Sequence, residues 1–489
     1  MNKLCYNTVS VKRGPGAACP RLAEGGFFPV FGKQLFPGGI HPAEGRGGKA
    51  VNGGNPIKVL PAPKRVIIPL SQHIGAPAKP VVKKGEHVRM GQLIGEPGGF
   101  VSAAVHASVS GTVADITQYL NFAGAEVPCI VIENDFQDEW VELTPSSHPE
   151  TLTAEEMRQI IRDAGIVGMG GATFPTPVKL TFGPGKIFDR LLINGAECEP
   201  YLTADHRLML EKPVAIVDGV QLIMHAFGVQ EAVIGVEENK PDAIRALQDA
   251  ASGVVGLRVQ PLPVRYPQGG EKQLIYALTK RVVPAGGLPI DVGCVVMNVG
   301  TVHAVDEAVR KGKPLVQRVT TVGGHVNNPG NYLVRIGTPV RALINACGGL
   351  QPTTRTLISG GPMMGTAFTD LDIPVTKGCS GILALDKTAI DVDESSCIRC
   401  GRCMRACPMH LQPAQMDRLI RAKRFDEVDK LGVLSCIECG ACTYVCPAKR
   451  LLTQSFRAGK RIVNIRRKQV RDREAAEAAR VASQEKKEE

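Results

Sequence analysis

Two stretches near the C-terminal end repeat one cysteine pattern. Cys397, Cys400, Cys403 and Cys407, followed by Pro408, make the first run; Cys436, Cys439, Cys442 and Cys446, followed by Pro447, make the second. Each reads C-x2-C-x2-C-x3-C-P, the spacing with which thiolates hold a [4Fe–4S] cluster. Three thiolates two residues apart wrap one face of a cubane. The fourth lies one helical turn on, and the proline sharpens the chain's exit. In two-cluster domains the fourth cysteine of each run serves the other run's cluster. The expected ligand sets are therefore Cys397, Cys400, Cys403 and Cys446 for one cluster, and Cys436, Cys439, Cys442 and Cys407 for the other. Structural zinc uses four thiolates as two separated pairs, which fits this repeat poorly. Disulfides fit such tight spacing less well still. The chain reads as a single-electron carrier.

Its 489 residues suffice for three or four domains. Aromatic residues are scarce at 4%, whereas 54 glycines and 35 prolines favour turns and short elements over long bundles. The seven cysteines outside the runs read as buried, inert thiols of a reducing cytosol. No run of eighteen apolar residues is present, and the first residues lack the apolar core of a signal peptide. A cytoplasmic protein, or one attached peripherally to a membrane from that side, is expected. Of the net charge of +11, residues 449–489 carry +7, from 13 Lys/Arg against 6 Asp/Glu. This basic tail suits an acidic partner or anionic lipid, or is a solvated helix, since 471–487 holds good helix formers without Pro or Gly.

The expected organisation is multidomain α/β. Residues 1–60 form a Gly/Pro-rich arm, and 61–140 a β barrel-sandwich. Residues 141–312 are an α/β domain, 313–378 a β-grasp module, 379–450 the ferredoxin-type dicluster domain, and 451–489 the tail. Short apolar runs between glycine turns mark 61–140 as all-β. That part resembles a lipoyl-type barrel-sandwich, with Pro97, Gly98 and Gly99 where a carrier would present its modified lysine. Beyond it, a helix over 153–164 starts with a capping box at Thr153 and Glu156. Strands at 188–194 and 232–236 alternate with helices at 213–227 and 240–251, which argues a parallel sheet. A strand–turn–strand signal spans 322–332, and one helix is expected over 413–430.

In the α/β part, Gly168, Gly170 and Gly171 lie in a loop that ends near Lys179. Clustered glycines let backbone amides approach a phosphate, with the lysine as counter-charge. Because the loop follows a helix, it is not the usual dinucleotide fingerprint. Asn194, Glu197 and Glu199 follow one expected strand, Glu271 another, and Asn298 with Thr301 a third. Four polar loops beside apolar strands fit one composite site. His73, Met363 and Met364 read as structural residues, and no spacing ties Cys379 to either cysteine run.

These segments carry a resemblance. Residues 168–179 are similar to the G-x-G-G-A-G-F-P-T-G-x-K loop of the NADH-binding flavoprotein subunit of respiratory complex I, and 194–200 to its N-A-D-E-x-E-P segment. The order of modules resembles the RnfC/RsxC family of Rnf electron transport complexes more closely, from about residue 36 to 450. Thr173, Pro177 and Ala196 depart from the complex I pattern, as does Glu271 with its neighbours. The resemblance implies non-covalent FMN, with Gly168, Gly170, Gly171 and Lys179 on its phosphate and Asn194, Glu197, Asn298 and Thr301 on the remainder. It implies NADH as substrate, with Phe174 on the adenine and Glu199 on the ribose, Glu271 bordering the site. It further implies integral and peripheral membrane partner subunits at the cytoplasmic face of the inner membrane, and no nucleic acid. The rival expectation is a ferredoxin-like docking adaptor without NADH or flavin turnover.

Overall fold

The computed structural model describes residues 35–43, 48–389 and 393–488, with side chains up to residue 478. The expected arm thus lies partly outside the described residues.

The barrel-sandwich packs two sheets face to face. One orders Arg65–Pro69, Glu126–Asn134, Gly111–Leu120 and His87–Val88; the other orders Lys79–Pro80, Leu93–Glu96 and Val105–His106. Val66, Ile68, Ile94, Val113, Ile130 and Ile132 fill the space between them. His73 behaves as a satisfied structural histidine, its Nε2 accepting from the Ala103 amide at 3.0 Å.

The α/β domain has a parallel sheet in the order Leu257–Leu262, Glu231–Glu237, Arg190–Gly195, Cys294–Asn298. Its two central strands, Arg190–Gly195 and Glu231–Glu237, are largely buried because helices cover both faces. Ala154–Asp163, Pro213–Phe227 and Val299–Lys311 join the larger core, and Glu271–Thr279 covers the other face. The capping box at Thr153 and Glu156 is formed. Asn194 and Asn298 stand side by side at the carboxyl ends of adjacent strands, where ligands of such sheets gather.

The β-grasp sheet runs past its expected limits at both ends. Its order is Lys58–Val59, Gly330–Arg335, Gln317–Gly324, Gly381–Leu385, Thr356–Ser359, Thr366–Phe368. The first strand comes from the arm. The fully buried Gly381–Leu385 lies beyond residue 378 yet sits inside the sheet. Its run of five apolar or small residues has two neighbouring strands to cover it.

The helix expected over 413–430 is two helices, Pro413–Arg421 and Phe425–Lys430. Lys423 takes a left-handed φ of 58° between them, which an α-helix does not accommodate. The tail is a single helix, Leu452–Glu488, in line with the helical reading of residues 451–489. Four cations of its first half, and Arg450 just before it, pair with acids of the dicluster domain. Arg450 pairs with Asp417, Arg457 and Lys460 with Glu438, Arg466 with Asp426, and Arg467 with Asp429.

The arm explains its own glycine pair. Gly39 donates to the Ala406 carbonyl at 3.0 Å, and Ile40 exchanges two backbone hydrogen bonds with Tyr266. A Cβ on Gly38 would stand 2.7 Å from the Cys407 carbonyl oxygen, and one on Gly39 2.8 Å from that of Tyr266. Both glycines have φ near +78°, so a side chain is excluded by space and by conformation. The arm is thereby a seam between the α/β domain and the first cysteine run.

Candidate cluster and nucleotide sites

The cysteine runs fold as near copies. The second residue after the first cysteine is left-handed in both (Arg399 and Glu438, each φ 56°), and so is the glycine after the second (Gly401 and Gly440). Short helices, Arg402–Ala406 and Ala441–Tyr444, then carry each chain toward its last cysteine. The result is two voids. Cys397, Cys400, Cys403 and Cys446 line one, with Ala414 and Leu452. Cys407, Cys436, Cys439 and Cys442 line the other, with Leu411 and Phe456. Each void thus takes three cysteines from one run and the last from the other.

None of these thiols is in a disulfide. Among the described residues no three Cys, His, Asp or Glu side chains converge on a single-ion site. Burial pushes the Cys439 and Cys442 thiols up to about 12. Such groups become thiolates against metal charge, as cluster ligation requires. The residues present fit a cluster in each void.

In the α/β domain, a bridge between Val167 and Pro175 closes the glycine loop at its base. The Gly168 amide donates to the Phe174 carbonyl at 2.8 Å, and the Met169 amide to Thr301 Oγ1 at 2.9 Å. Thr301 therefore braces the loop from beneath. Gly170, Gly171 and Ala172 are exposed or half-buried, and a Cβ on Gly171 would meet nothing within 4 Å. Bare backbone facing open space is what a phosphate needs, so the loop fits the group its sequence suggests. Thr173 replaces a glycine of the complex I pattern and keeps a left-handed φ of 55°. Lys179 Nζ lies 3.1 Å from Glu271 Oε1 and 3.0 Å from the Val296 carbonyl. The structure thus joins those two expected site residues as an ion pair.

Asn194 and Asn298 also serve the scaffold. Asn194 donates to the Gly269 carbonyl at 2.8 Å. Asn298 caps the Val299–Lys311 helix through the Gly300 amide and donates to Asp205 at 2.7 Å. Burial, and then Glu197 nearby, push the Asp205 carboxyl up to about 7. Glu197 accepts from the Asp205 and His206 amides, so it holds the start of the Ala204–Glu211 helix. Lys49, from the arm, and the buried Lys240 both reach the Glu197 carbonyl.

Glu199 is held from the β-grasp side. Its oxygens accept from the Met363 amide at 3.0 Å and the Met364 amide at 2.9 Å. Tyr266 OH stands 3.3 Å from the same carboxyl and donates to the Cys439 carbonyl at 2.7 Å. Burial pushes Glu199 up to about 7. The sequence reading missed Tyr266, which ties the α/β domain to the second void; its one signal is its place two residues before Gln268.

A parallel-sheet domain with an open glycine loop, joined to a pair of four-cysteine voids, defines an iron–sulfur flavoprotein of the NADH-dehydrogenase type. Comparison with known proteins agrees module by module. Residues 34–137 match the RnfC barrel-sandwich hybrid domain, 161–307 the Nuo51 FMN-binding domain, 319–367 the SLBB domain, and 389–472 a 4Fe-4S dicluster domain. The chain is 52% identical to the C subunit of the proton-translocating ferredoxin:NAD(+) oxidoreductase complex of Clostridium ljungdahlii, over 87% of this chain and 93% of that one. It is 47% identical to the C subunit of the Na(+)-translocating counterpart of Acetobacterium woodii, over 88% and 98%. It is 44% identical to the C subunit of the ion-translocating oxidoreductase complex of Rhodobacter capsulatus, over 86% and 82%. The chain belongs to this RnfC family of Rnf-type complexes. A solved NAD+-reducing [NiFe]-hydrogenase aligns over 65% of each chain at 22% identity and a TM-score of 0.46, too loosely to place residues.

Proposed function

We propose that this chain is the electron-entry subunit of a membrane-bound, ion-translocating NADH:ferredoxin oxidoreductase. The observation that carries this reading is the direct seating of a four-cysteine void on the nucleotide domain through Tyr266 and Cys439. FMN, when bound, supplies the exchange between a two-electron hydride donor and single-electron carriers, here two [4Fe–4S] clusters.

The chain's own residues bind and orient. Gly168, Gly170 and Gly171 form the loop proposed for the FMN phosphate; Gly170 and Gly171 offer the amides, the Gly168 amide being held by the Phe174 carbonyl, and Lys179 is the neighbouring cation. Asn194, Glu197, Asn298 and Thr301 set the floor on which the flavin rests. Phe174 is proposed for the adenine of NADH, and Glu199 and Glu271 for its polar edge. Cys397, Cys400, Cys403 and Cys446 are proposed for one cluster, and Cys407, Cys436, Cys439 and Cys442 for the other. No protein acid or base is needed. No described helix is long and apolar enough to cross a membrane. Attachment is therefore proposed through integral and peripheral partner subunits, at the cytoplasmic face.

An anaerobic NADH titration of the chain reconstituted with iron, sulfide and FMN tests this reading. Flavin bleaching followed by cluster bleaching is expected. Clusters reducible by dithionite but not by NADH, with no FMN retained, would support a docking adaptor instead. The loop can be tested separately. A Cβ at Gly170 would stand 3.0 Å from Asn298 Nδ2, so Gly170→Val forces the loop off its floor. We expect FMN affinity to fall by about 100-fold, on the order of 3 kcal/mol, read by quenching of flavin fluorescence, with iron content unchanged.

A further inference from the structure

The two cysteine voids face different surroundings. The one holding Cys439 and Cys442 looks inward, with Tyr266 and Met363 packed beside Cys439. The other looks outward: Cys397 and Cys400 are exposed, and no residue of the α/β domain lines their void. One short segment, Arg265 to Gln273, runs from the inward void to the nucleotide site. At one end Tyr266 donates to the Cys439 carbonyl. Three residues on, the Gly269 carbonyl accepts from Asn194 at 2.8 Å, and the Gly269 amide meets Cys198 Sγ at 3.4 Å. A Cβ on Gly269 would stand 2.3 Å from the Ala196 carbonyl oxygen, so this turn lies directly on the end of the Arg190–Gly195 strand. Gln268 is therefore held between a cysteine of the inward void and the floor proposed for the flavin. It is fully buried, and neither its Oε1 nor its Nε2 has a hydrogen-bond partner in the protein. Gln273 Oε1 and Arg265 Nε are buried without a partner in the same segment, a concentration matched nowhere else among the described residues. Native proteins seldom keep a buried amide unpaired, because its desolvation is then uncompensated. The segment thus faces a polar group that the protein itself does not supply.

The chemistry of the amide selects that group. A carboxamide carries donors and an acceptor side by side. An iron–sulfur cluster offers only sulfur acceptors, which would leave Oε1 unpaired, and Gln268 does not line the inward void. The pyrimidine edge of a flavin presents a ring N–H beside a carbonyl and so matches both atoms of one amide. We propose that Gln268 is a flavin ligand, its Nε2 donating to a ring carbonyl and its Oε1 accepting from the adjacent ring N–H. The inference rests on the reading that FMN binds in this domain. It adds a residue that recognises the ring, where the glycine loop serves only the phosphate. A donor on a ring carbonyl favours the electron-rich reduced ring over the oxidised one, so the same contact raises the flavin's potential.

The test uses the full chain reconstituted with iron and sulfide, with FMN and 3-methyl-FMN, which lacks the ring N–H, as probes. Gln268→Leu keeps the size of the side chain and removes both polar atoms. FMN affinity, read by quenching of flavin fluorescence, is expected to fall about tenfold, with the visible spectrum of the clusters unchanged. The parent should prefer FMN to 3-methyl-FMN by about tenfold, and the variant should not distinguish them. The reduced flavin should lose about tenfold more affinity than the oxidised one, which lowers the two-electron potential by about 30 mV. Without FMN the variant should resist urea at least as well as the parent, because two unpaired polar atoms have become carbon. Equal FMN affinity in the two chains would overturn this inference alone and leave the amide to buried water. A variant that unfolds more readily yet still prefers FMN to 3-methyl-FMN would overturn it in favour of a structural amide. A changed electron paramagnetic resonance signal of the inward cluster with FMN binding intact would overturn it in favour of a cluster contact. A parent chain that binds no FMN would overturn the flavin reading and this inference together.

Discussion

Replacing Cys407 with alanine is expected to remove the cluster of the second cysteine run while sparing that of the first, the run to which Cys407 belongs. Cys407 lines the void of Cys436, Cys439 and Cys442, and Cys446 lines the void of Cys397, Cys400 and Cys403. Iron should fall from about eight to about four atoms per chain. Cys403→Ala and Cys407→Ala, four residues apart, should abolish different electron paramagnetic resonance signals. Cys407→Ala and Cys439→Ala, far apart in sequence, should abolish the same one. The reverse pairing would mean that each run closes its own cluster. The inward cluster should also be the one whose loss uncouples the flavin, since it adjoins Tyr266. NADH would then still bleach FMN in Cys407→Ala, while the outward cluster stays oxidised.

Most of this molecule's local structure was legible because its signals are short-range. The capping box at Thr153 and the Pro213–Phe227 helix follow from neighbouring residues alone. The cysteine spacing likewise encodes the left-handed turns at Arg399 and Glu438 that fold each run back on itself. What stayed hidden depends on partners distant in sequence. Gly381–Leu385 reads as a linker until Gln317–Gly324 and Thr356–Ser359 are seen on either side of it. The basic tail reads as a free cationic helix until Asp417, Asp426, Asp429 and Glu438 are found facing it. Glu199 reads as a ribose ligand by its place in a motif, yet its oxygens meet amides 164 and 165 residues away. In the nucleotide site the residue types were legible. Which of them touch ligand and which brace the loop is a matter of tertiary geometry, as Thr301 and Asn298 show.

Lys377 shows how such distant contacts hold the modules together, and it should make stability depend on pH. It is 1% exposed, and its Nζ donates to the Ala104 carbonyl of the barrel-sandwich and the Gly165 carbonyl of the α/β domain, each at 2.7 Å. Its backbone amide donates to Gln72. Among the described residues no carboxylate pairs with the ammonium. Its titratable neighbours are His73 and His106, the latter held neutral by burial at about 3. Burial alone lowers Lys377 from 10.5 to about 7. A neutral amine has two hydrogens and here has two acceptors, so the geometry suits the uncharged form. The sign of the effect follows. Between about 7 and 10.5 the unfolded chain binds a proton that the folded chain does not. Stability therefore rises with pH across that window, by about 1.4 kcal/mol per pH unit at full effect. Lys377→Met removes the titration but leaves two buried carbonyls unpaired, a loss of roughly 2–4 kcal/mol. The variant should be clearly less stable than the parent near pH 10, with the gap closing as pH falls toward 7. Trp140 is the only tryptophan, so urea unfolding followed by its fluorescence at several pH values reads the effect directly. Parallel stability profiles for the two chains would show instead that Lys377 keeps its charge in the folded protein and that the module junction is indifferent to pH.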